Sequence, residues 1–239
     1  MYYGYGYGYG YGFDWTYILL LIGVVVSGVA TMKVNSTFKK FAKIRSSVGM
    51  TGAEAAQRIL YSEGIMDVSI QHVAGNLTDH YNPSTKTVNL SDATYGSTSV
   101  AAIGVAAHEC GHVIQHHQGY APLSIRTALV PVANIGSKAG MPLIILGLFL
   151  GSNPTLINLG ILVFSFGVAF QVVTLPVEFN ASSRAVQKLG TLGILNPEEI
   201  RDTKKVLSAA AMTYVASAFA AILSLLRLLI LFGGNRRRN

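Results

Sequence analysis

Charge is scarce in this chain. It has 18 basic and 11 acidic residues among 239, so charged residues make up 12% of the sequence. An ordinary soluble domain carries about 25%. Apolar residues make up 51%, and mean hydropathy is +0.43. Too little polar surface remains to cover a water-soluble globule. Disorder is excluded on the same ground, because it needs low hydrophobicity and high charge. Cysteine is nearly missing as well. Cys110 stands alone, so no intramolecular disulfide can form, and the aqueous part must fold without staples. That fits a reducing compartment. Acids are fewer than bases, leaving a net charge of +7. The bases do not form one stripe; they flank apolar segments, the pattern that orients membrane proteins. Nucleic acid is therefore not an expected partner, and the lipid bilayer is.

What is present in quantity is long uncharged sequence. Trp15 to Met32 is an uncharged run of 18 residues between Asp14 and Lys33. It is long enough to span a bilayer, which takes about 17–25 residues. A cleaved signal peptide would want a positive flank on its N-terminal side, where only Asp14 stands. Ala139 to Val177 carries no charge and contains Ser152-Asn153-Pro154, a turn signal. It parses as a helical hairpin over 128–177, whose first helix begins near Ala128 and takes in Pro131, Asn134 and Lys138. Val206 to Leu226 is uncharged again, with Arg227 and Leu228 to Phe232 following. Four spans are expected, at 15–32, two within 128–177, and 206–232. Between the first and second lie Lys33, Lys39, Lys40, Lys43, Arg45, Arg58, Lys86 and Arg126; between the third and fourth lie Arg184, Lys188, Arg201, Lys204 and Lys205. These thirteen bases share one side, which the positive-inside rule makes cytoplasmic. Arg227 and Arg236 to Arg238, the latter in the basic tail 233–239, then fall on the other side, against that rule; either the last helix does not cross fully or the tail is an exception. The tail 1–14 alternates Tyr and Gly and reads as low-complexity sequence.

The aqueous part is expected over 33–127 and 178–205. Thr51-Gly52-Ala53-Glu54 has the form of a capping box, and a helix should run from about Gly52 to Glu63 and stop at Gly64. Val68 to Val73 and Thr87 to Leu90 read as strands on either side of an Asn82-Pro83-Ser84 turn. A further helix should begin near Ser97 to Ser99 and end by Gly119. Asn196-Pro197-Glu198-Glu199 is a helix start, with a cap, a first-turn proline and acids that complement the dipole.

That middle helix carries His108-Glu109-Cys110-Gly111-His112. Residues four apart share a helix face, so both imidazoles can reach one metal ion. Glu109 is rotated by about 100°, close enough to address a metal-bound water. A catalytic zinc site needs a third protein ligand and one open position. His116 sits about two turns beyond His108, roughly 12 Å away, too far along a straight helix to join it; His116 and His117 are expected at the surface. The better third ligand is Glu178, an isolated carboxylate at a membrane boundary that needs a cationic partner. The alternative partner is Arg184. Asp79-His80-Tyr81 is the other polar cluster. His80 or Tyr81 could donate to the oxyanion of a hydrolysis, with Asp79 orienting His80. His72 alternates within a strand and is expected at the surface.

These stretches together resemble the membrane-embedded neutral zinc metallopeptidases, the YugP-like proteins. The resemblance runs through Lys33 to Phe38, Gly49 to Glu54, Leu77 to Tyr81, His108 to Leu123 and Pro176 to Arg184, in one order across nearly the whole chain. More distantly the chain is similar to the HtpX-type and CAAX-prenyl proteases. The resemblance implies a single catalytic zinc ion held by His108, His112 and Glu178, with Glu109 as general base. The HtpX-type pattern would have Asp at 182, where this chain has Ser182; Ser182 or Asn180 would then orient a ligand.

The expected protein is a mainly α, integral membrane protein. It would have about four transmembrane helices and a small α+β, zincin-like catalytic part facing the cytoplasm from the plasma membrane. Its partners would be a protein or peptide substrate and the bilayer; its oligomeric state is left open by the sequence. The rival readings are a metal-binding transporter or sensor without peptidase activity, and an adaptor whose motif is incidental. A transporter should place several ionisable ligands within its spans, and Lys138 is the one charge before Arg227 near the end of the last span.

Overall fold

The computed structural model describes residues 14–233; the Tyr/Gly tail before them and the Arg236 to Arg238 tail after them lie outside the described residues, as does the Ser137 side chain. The chain is mostly helical. In order, it forms α1 (Tyr17–Phe41), α2 (Gly52–Ser62), β1 (Ser69–Val73), β2 (His80–Asn82), β3 (Thr87–Ser91), α3 (Val100–His117), α4 (Ala121–Phe149), α5 (Pro154–Thr191) and α6 (Pro197–Phe232). Among the described residues four helices are long and apolar enough to cross a membrane: α1, α4, α5 and α6. Their exposed leucines, isoleucines, valines and phenylalanines form apolar surface of the kind that lipid covers.

The helix ends follow the local chemistry. The Thr51 hydroxyl accepts from Glu54 N–H while the Glu54 carboxylate accepts from Thr51 N–H, a complete capping box on α2. Gly64 follows the helix at φ +70°, the left-handed region that glycine enters at no steric cost. The Ser99 hydroxyl accepts from Ala102 N–H and starts α3. Asn153 caps α5 and Asn196 caps α6, each followed by proline in the first turn. The first helix of the hairpin begins at Ala121, earlier than the expected Ala128. Pro122 sits in its first turn, where a missing N–H costs nothing, and Pro131 and Pro142 are carried inside the helix.

The three strands make one mixed sheet in the order β1-β3-β2, with β1 parallel and β2 antiparallel to β3. His80-Tyr81-Asn82, outside both strands expected from the sequence, is the short edge strand β2. Its pairing with β3 leaves its other edge free. α3 lies at the centre of the aqueous part. Its Val100, Ile103, Ala106, Ala107, Val113 and Ile114 pack with Ile59 and Leu60 of α2, Val88 and Leu90 of β3, and Ala185 and Leu189 of α5.

α1 and α6 run antiparallel. Phe38 and Phe41 pack with Val206 at one end, and Arg227 lies 3.8 Å from Asp14 and over the Tyr17 ring at the other. α5 has 38 residues, a length of about 57 Å at 1.5 Å per residue. That exceeds the ~30 Å hydrocarbon core, so α5 extends past the membrane. The extension, beginning at Glu178 after the uncharged run, packs against α3.

Candidate metal centre

Two helices meet here with complementary donors. α3 carries His108 and His112 one turn apart, and α5 brings Glu178 to face both. His108 Nε2 lies 3.2 Å and His112 Nε2 3.6 Å from Glu178 Oε2. One donor atom from each of the three residues falls within 4.8 Å of the others. The side chains are 15%, 12% and 2% exposed, respectively, so the donors are withdrawn from water yet reachable. The imidazole planes stand nearly perpendicular, at 85°, with centroids 4.7 Å apart. Two nitrogens and one carboxylate oxygen are the donor set of a catalytic zinc site with a position left open.

Neighbouring groups fix which ring nitrogen faces the carboxylate. The Gln115 side-chain amide donates to the Val177 carbonyl at 2.8 Å and to Asn180 Oδ1 at 3.0 Å. Its oxygen therefore points to His112 Nδ1, 3.0 Å away, and can only accept. His112 must carry a hydrogen on Nδ1, which leaves the Nε2 lone pair of the neutral ring directed at the site. Ser182 Oγ lies 3.1 Å from His108 Nδ1, where its hydroxyl is able to accept a matching bond. This is the support that metal-binding histidines commonly receive. Ser182 thus meets His108 directly, and Asn180 reaches His112 through Gln115. Burial disfavours the charged form of His112; Glu178 and the nearby charge of Glu109 outweigh it and hold the pKa above the usual histidine value.

Glu109 is buried and lines the cavities on both sides of the trio. The larger, of about 730 Å³, is bounded by β2, α3 and the start of α4 and includes His80, Tyr81, His116 and Arg126. The smaller, of about 230 Å³, opens towards α1 and α6 and includes Val34, Val105, Leu207 and Tyr214.

Other residues depart from expectation. His80 and Tyr81 do line the larger cavity, but Asp79 does not orient His80: its carboxylate accepts from the Ser91 N–H and hydroxyl. The Asn89 amide donates to His80 Nε2 at 3.2 Å, and His80 Nδ1 lies 2.9 Å from the Thr78 carbonyl. The His80 ring is thus the Nδ1–H tautomer with its N–H engaged. The Tyr81 hydroxyl lies 2.9 Å from Nδ1 of the exposed His116. Burial raises the Tyr81 pKa, so its hydroxyl stays protonated. Arg184 does not pair with Glu178; it donates to Asn180 and Gln118. The guanidinium near Glu178 is Arg126, with Nη1 3.4 Å from Oε1, held over the Phe170 ring. Arg126 and Tyr214 carry no local motif, and sequence reading missed both.

The chain has clear relatives. The model of a family described as "Putative neutral zinc metallopeptidase" matches residues 16–233. The chain is 47% identical over 210 residues to the "Putative membrane protease YugP" of Bacillus subtilis (strain 168), a match covering 88% of this chain and 93% of that protein. No solved structure matches.

Proposed function

The chain belongs to the family described as "Putative neutral zinc metallopeptidase", and from that premise we propose that it is a multi-pass membrane zinc endopeptidase with one catalytic ion. His108, His112 and Glu178 hold the ion, and Glu109 is the general base. The observation that carries the reading is the convergence of three donors from α3 and α5, one buried carboxylate and two largely buried imidazoles, with Glu109 beside them. A zinc ion bound there supplies Lewis acidity and lowers the pKa of water towards ~7.

The chain's own residues do the rest. Gln115 and Ser182 keep the Nε2 lone pairs of His112 and His108 aimed inward. Glu109 takes the proton of the attacking water on a carboxylate oxygen and returns it to the nitrogen of the leaving amine. Tyr81 is the better of the two oxyanion donors, because the His80 N–H is already engaged with Thr78, whereas the Tyr81 hydroxyl accepts from the His116 Nδ1–H and keeps its own hydrogen for the oxyanion. The free edge of β2 borders the larger cavity, and an extended peptide can add to it as a further strand. The substrate is then held along the site by main-chain hydrogen bonds.

The catalytic part, 33–127 with 178–205, faces the cytoplasm from the plasma membrane, as the thirteen bases between the spans favour. Its work is the turnover of membrane or damaged proteins. The test joins zinc analysis of the purified protein to cleavage of casein and of a membrane-protein substrate. Stoichiometric zinc and metal-dependent cleavage are expected; a protein that binds zinc but cleaves neither substrate supports the transporter or sensor reading instead.

A further inference from the structure

A further cavity, of about 440 Å³, lies between α1 and α6, away from the metal centre. Its α1 wall is Lys33, Thr37, Lys40 and Phe41, and its α6 wall is Lys204, Lys205, Ser208, Ala209 and Met212. Each set has helical spacing, so each occupies one face of its helix. Four lysines therefore line one cavity, and no carboxylate does.

Its level in the fold is defined by both helices. Lys33 is the first charge after the uncharged run of α1, and Lys205 is the last before the uncharged run of α6. The cavity thus sits where both spans leave the hydrocarbon. Ala209 and Met212 continue its wall towards the apolar side, and Met212 is exposed. Polar and apolar ends are arranged as in a lipid at the interface.

The charges are gathered rather than spread. Lys40 Nζ lies 5.4 Å and Lys205 Nζ 5.5 Å from the centroid of the same Phe41 ring. Like charges drawn to one ring repel unless an anion joins them. Lys205 has one acidic neighbour, Asp202 on its own helix, at 2.8 Å. Among the described residues Lys33, Lys40 and Lys204 have no acidic partner. The Thr37 and Ser208 hydroxyls make no hydrogen bond within the described protein, so they are free to donate to phosphate oxygens.

We propose that this cavity binds the phosphodiester headgroup of an anionic phospholipid. The four lysines supply charge, Thr37 and Ser208 supply donors, and Met212 lies along the acyl chain. Basic pockets between membrane helices are suited to such headgroups. These lysines also serve as a topology signal, but that role does not require them to converge. The site is independent of the peptidase reading and rests on α1 and α6 as membrane helices.

The test uses the full chain in nanodiscs of phosphatidylcholine containing graded phosphatidylglycerol, with bound lipid counted by native mass spectrometry after gentle release. The cavity variant replaces Lys33, Lys40, Lys204 and Lys205 by Gln. A charge-matched control replaces Lys39, Lys43, Lys86 and Arg201 by Gln. The cavity variant should lose phosphatidylglycerol retention by at least about tenfold, and the control should keep it. Equal losses would mean a diffuse field rather than a site and would overturn the proposal. Inorganic phosphate is the second arm. Tens of millimolar should leave the lipid bound; displacement at concentrations equal to that of the lipid would make the site one for soluble phosphate and overturn it too. Should the fourfold variant unfold, Lys33→Gln with Lys40→Gln gives the same comparison, against Lys39→Gln with Lys43→Gln.

Discussion

Gly111 of α3 packs directly on the backbone of Ala181 in α5: a β-carbon on Gly111 would stand 2.5 Å from the Ala181 carbonyl oxygen. Gly111 lies between His108 and His112 in sequence, and Ala181 lies between Glu178 and Ser182. The contact that brings the two backbones together is thus flanked on both helices by the residues that face each other across the site. Gly111→Ala must part the helices, because the atom in the way is backbone and cannot turn aside. Overpacking of this kind costs about 1–3 kcal/mol. We expect a lower melting temperature and a zinc affinity weakened by at least tenfold, measured by competition with a chromogenic chelator. Unchanged zinc affinity would show that the helix spacing does not set the site.

Glu109→Gln separates binding from chemistry. The amide keeps the size of the carboxylate but cannot take a proton from water. Zinc content should stay at one per chain, while turnover should fall by about 10²–10⁴-fold, the usual weight of a general base. Activity near that of the parent protein would remove Glu109 from its role. Glu178→Ala should do the opposite and lose the metal first.

Gln115 joins His112, Val177 and Asn180 in one buried network. Gln115→Leu keeps the bulk but leaves the His112 Nδ1–H without its acceptor and removes one donor each from the Val177 carbonyl and from Asn180, which keeps Arg184. Loss of a supporting group behind a metal ligand typically costs 10–100-fold in affinity, and a loss in that range is expected here. A variant that bound zinc as tightly as the parent would show that the Nε2 lone pair of His112 needs no such aim.

Helix caps, the turn at 152–154 and the spacing of His108 and His112 could be read in the sequence because each rests on residues a few positions apart. Ser99 is a clear case, and its mutation a test of stability alone. Ser99→Ala removes the bond to Ala102 N–H and should cost about 1 kcal/mol, seen in thermal unfolding, with zinc stoichiometry unchanged. Glu178 was legible for a different reason: a lone carboxylate after a long uncharged run needs a partner. What stayed hidden rests on distant contacts. β2 is three residues long and exists because β3 pairs with it, so no alternation could announce it. Arg126 reaches Glu178 only because α4 folds back beside α5. The Asp79 carboxylate turned to Ser91, 12 residues on, rather than to its neighbour His80, because it can satisfy a backbone N–H and a hydroxyl there together.

Tyr81 provides the test closest to the chemistry. Its hydroxyl borders the larger cavity and rests on His116, and burial keeps its pKa above the usual tyrosine value. The sign of that shift matters for the pH profile. A raised pKa extends the protonated, donating form to higher pH, so Tyr81 cannot generate an alkaline limb below the usual tyrosine range near ~10. Tyr81→Phe should therefore lower the plateau of kcat without moving either limb of the profile. A lost oxyanion donor costs about 10²–10³-fold in kcat, with KM little changed because the donor acts mainly on the transition state. His116→Ala removes the support of the hydroxyl but leaves the donor itself, and should cost less. If Tyr81→Phe raised KM and left kcat intact, the ring would be holding substrate beside β2, and the oxyanion would have to find its donor elsewhere, with Arg126 the nearest cation to Glu178.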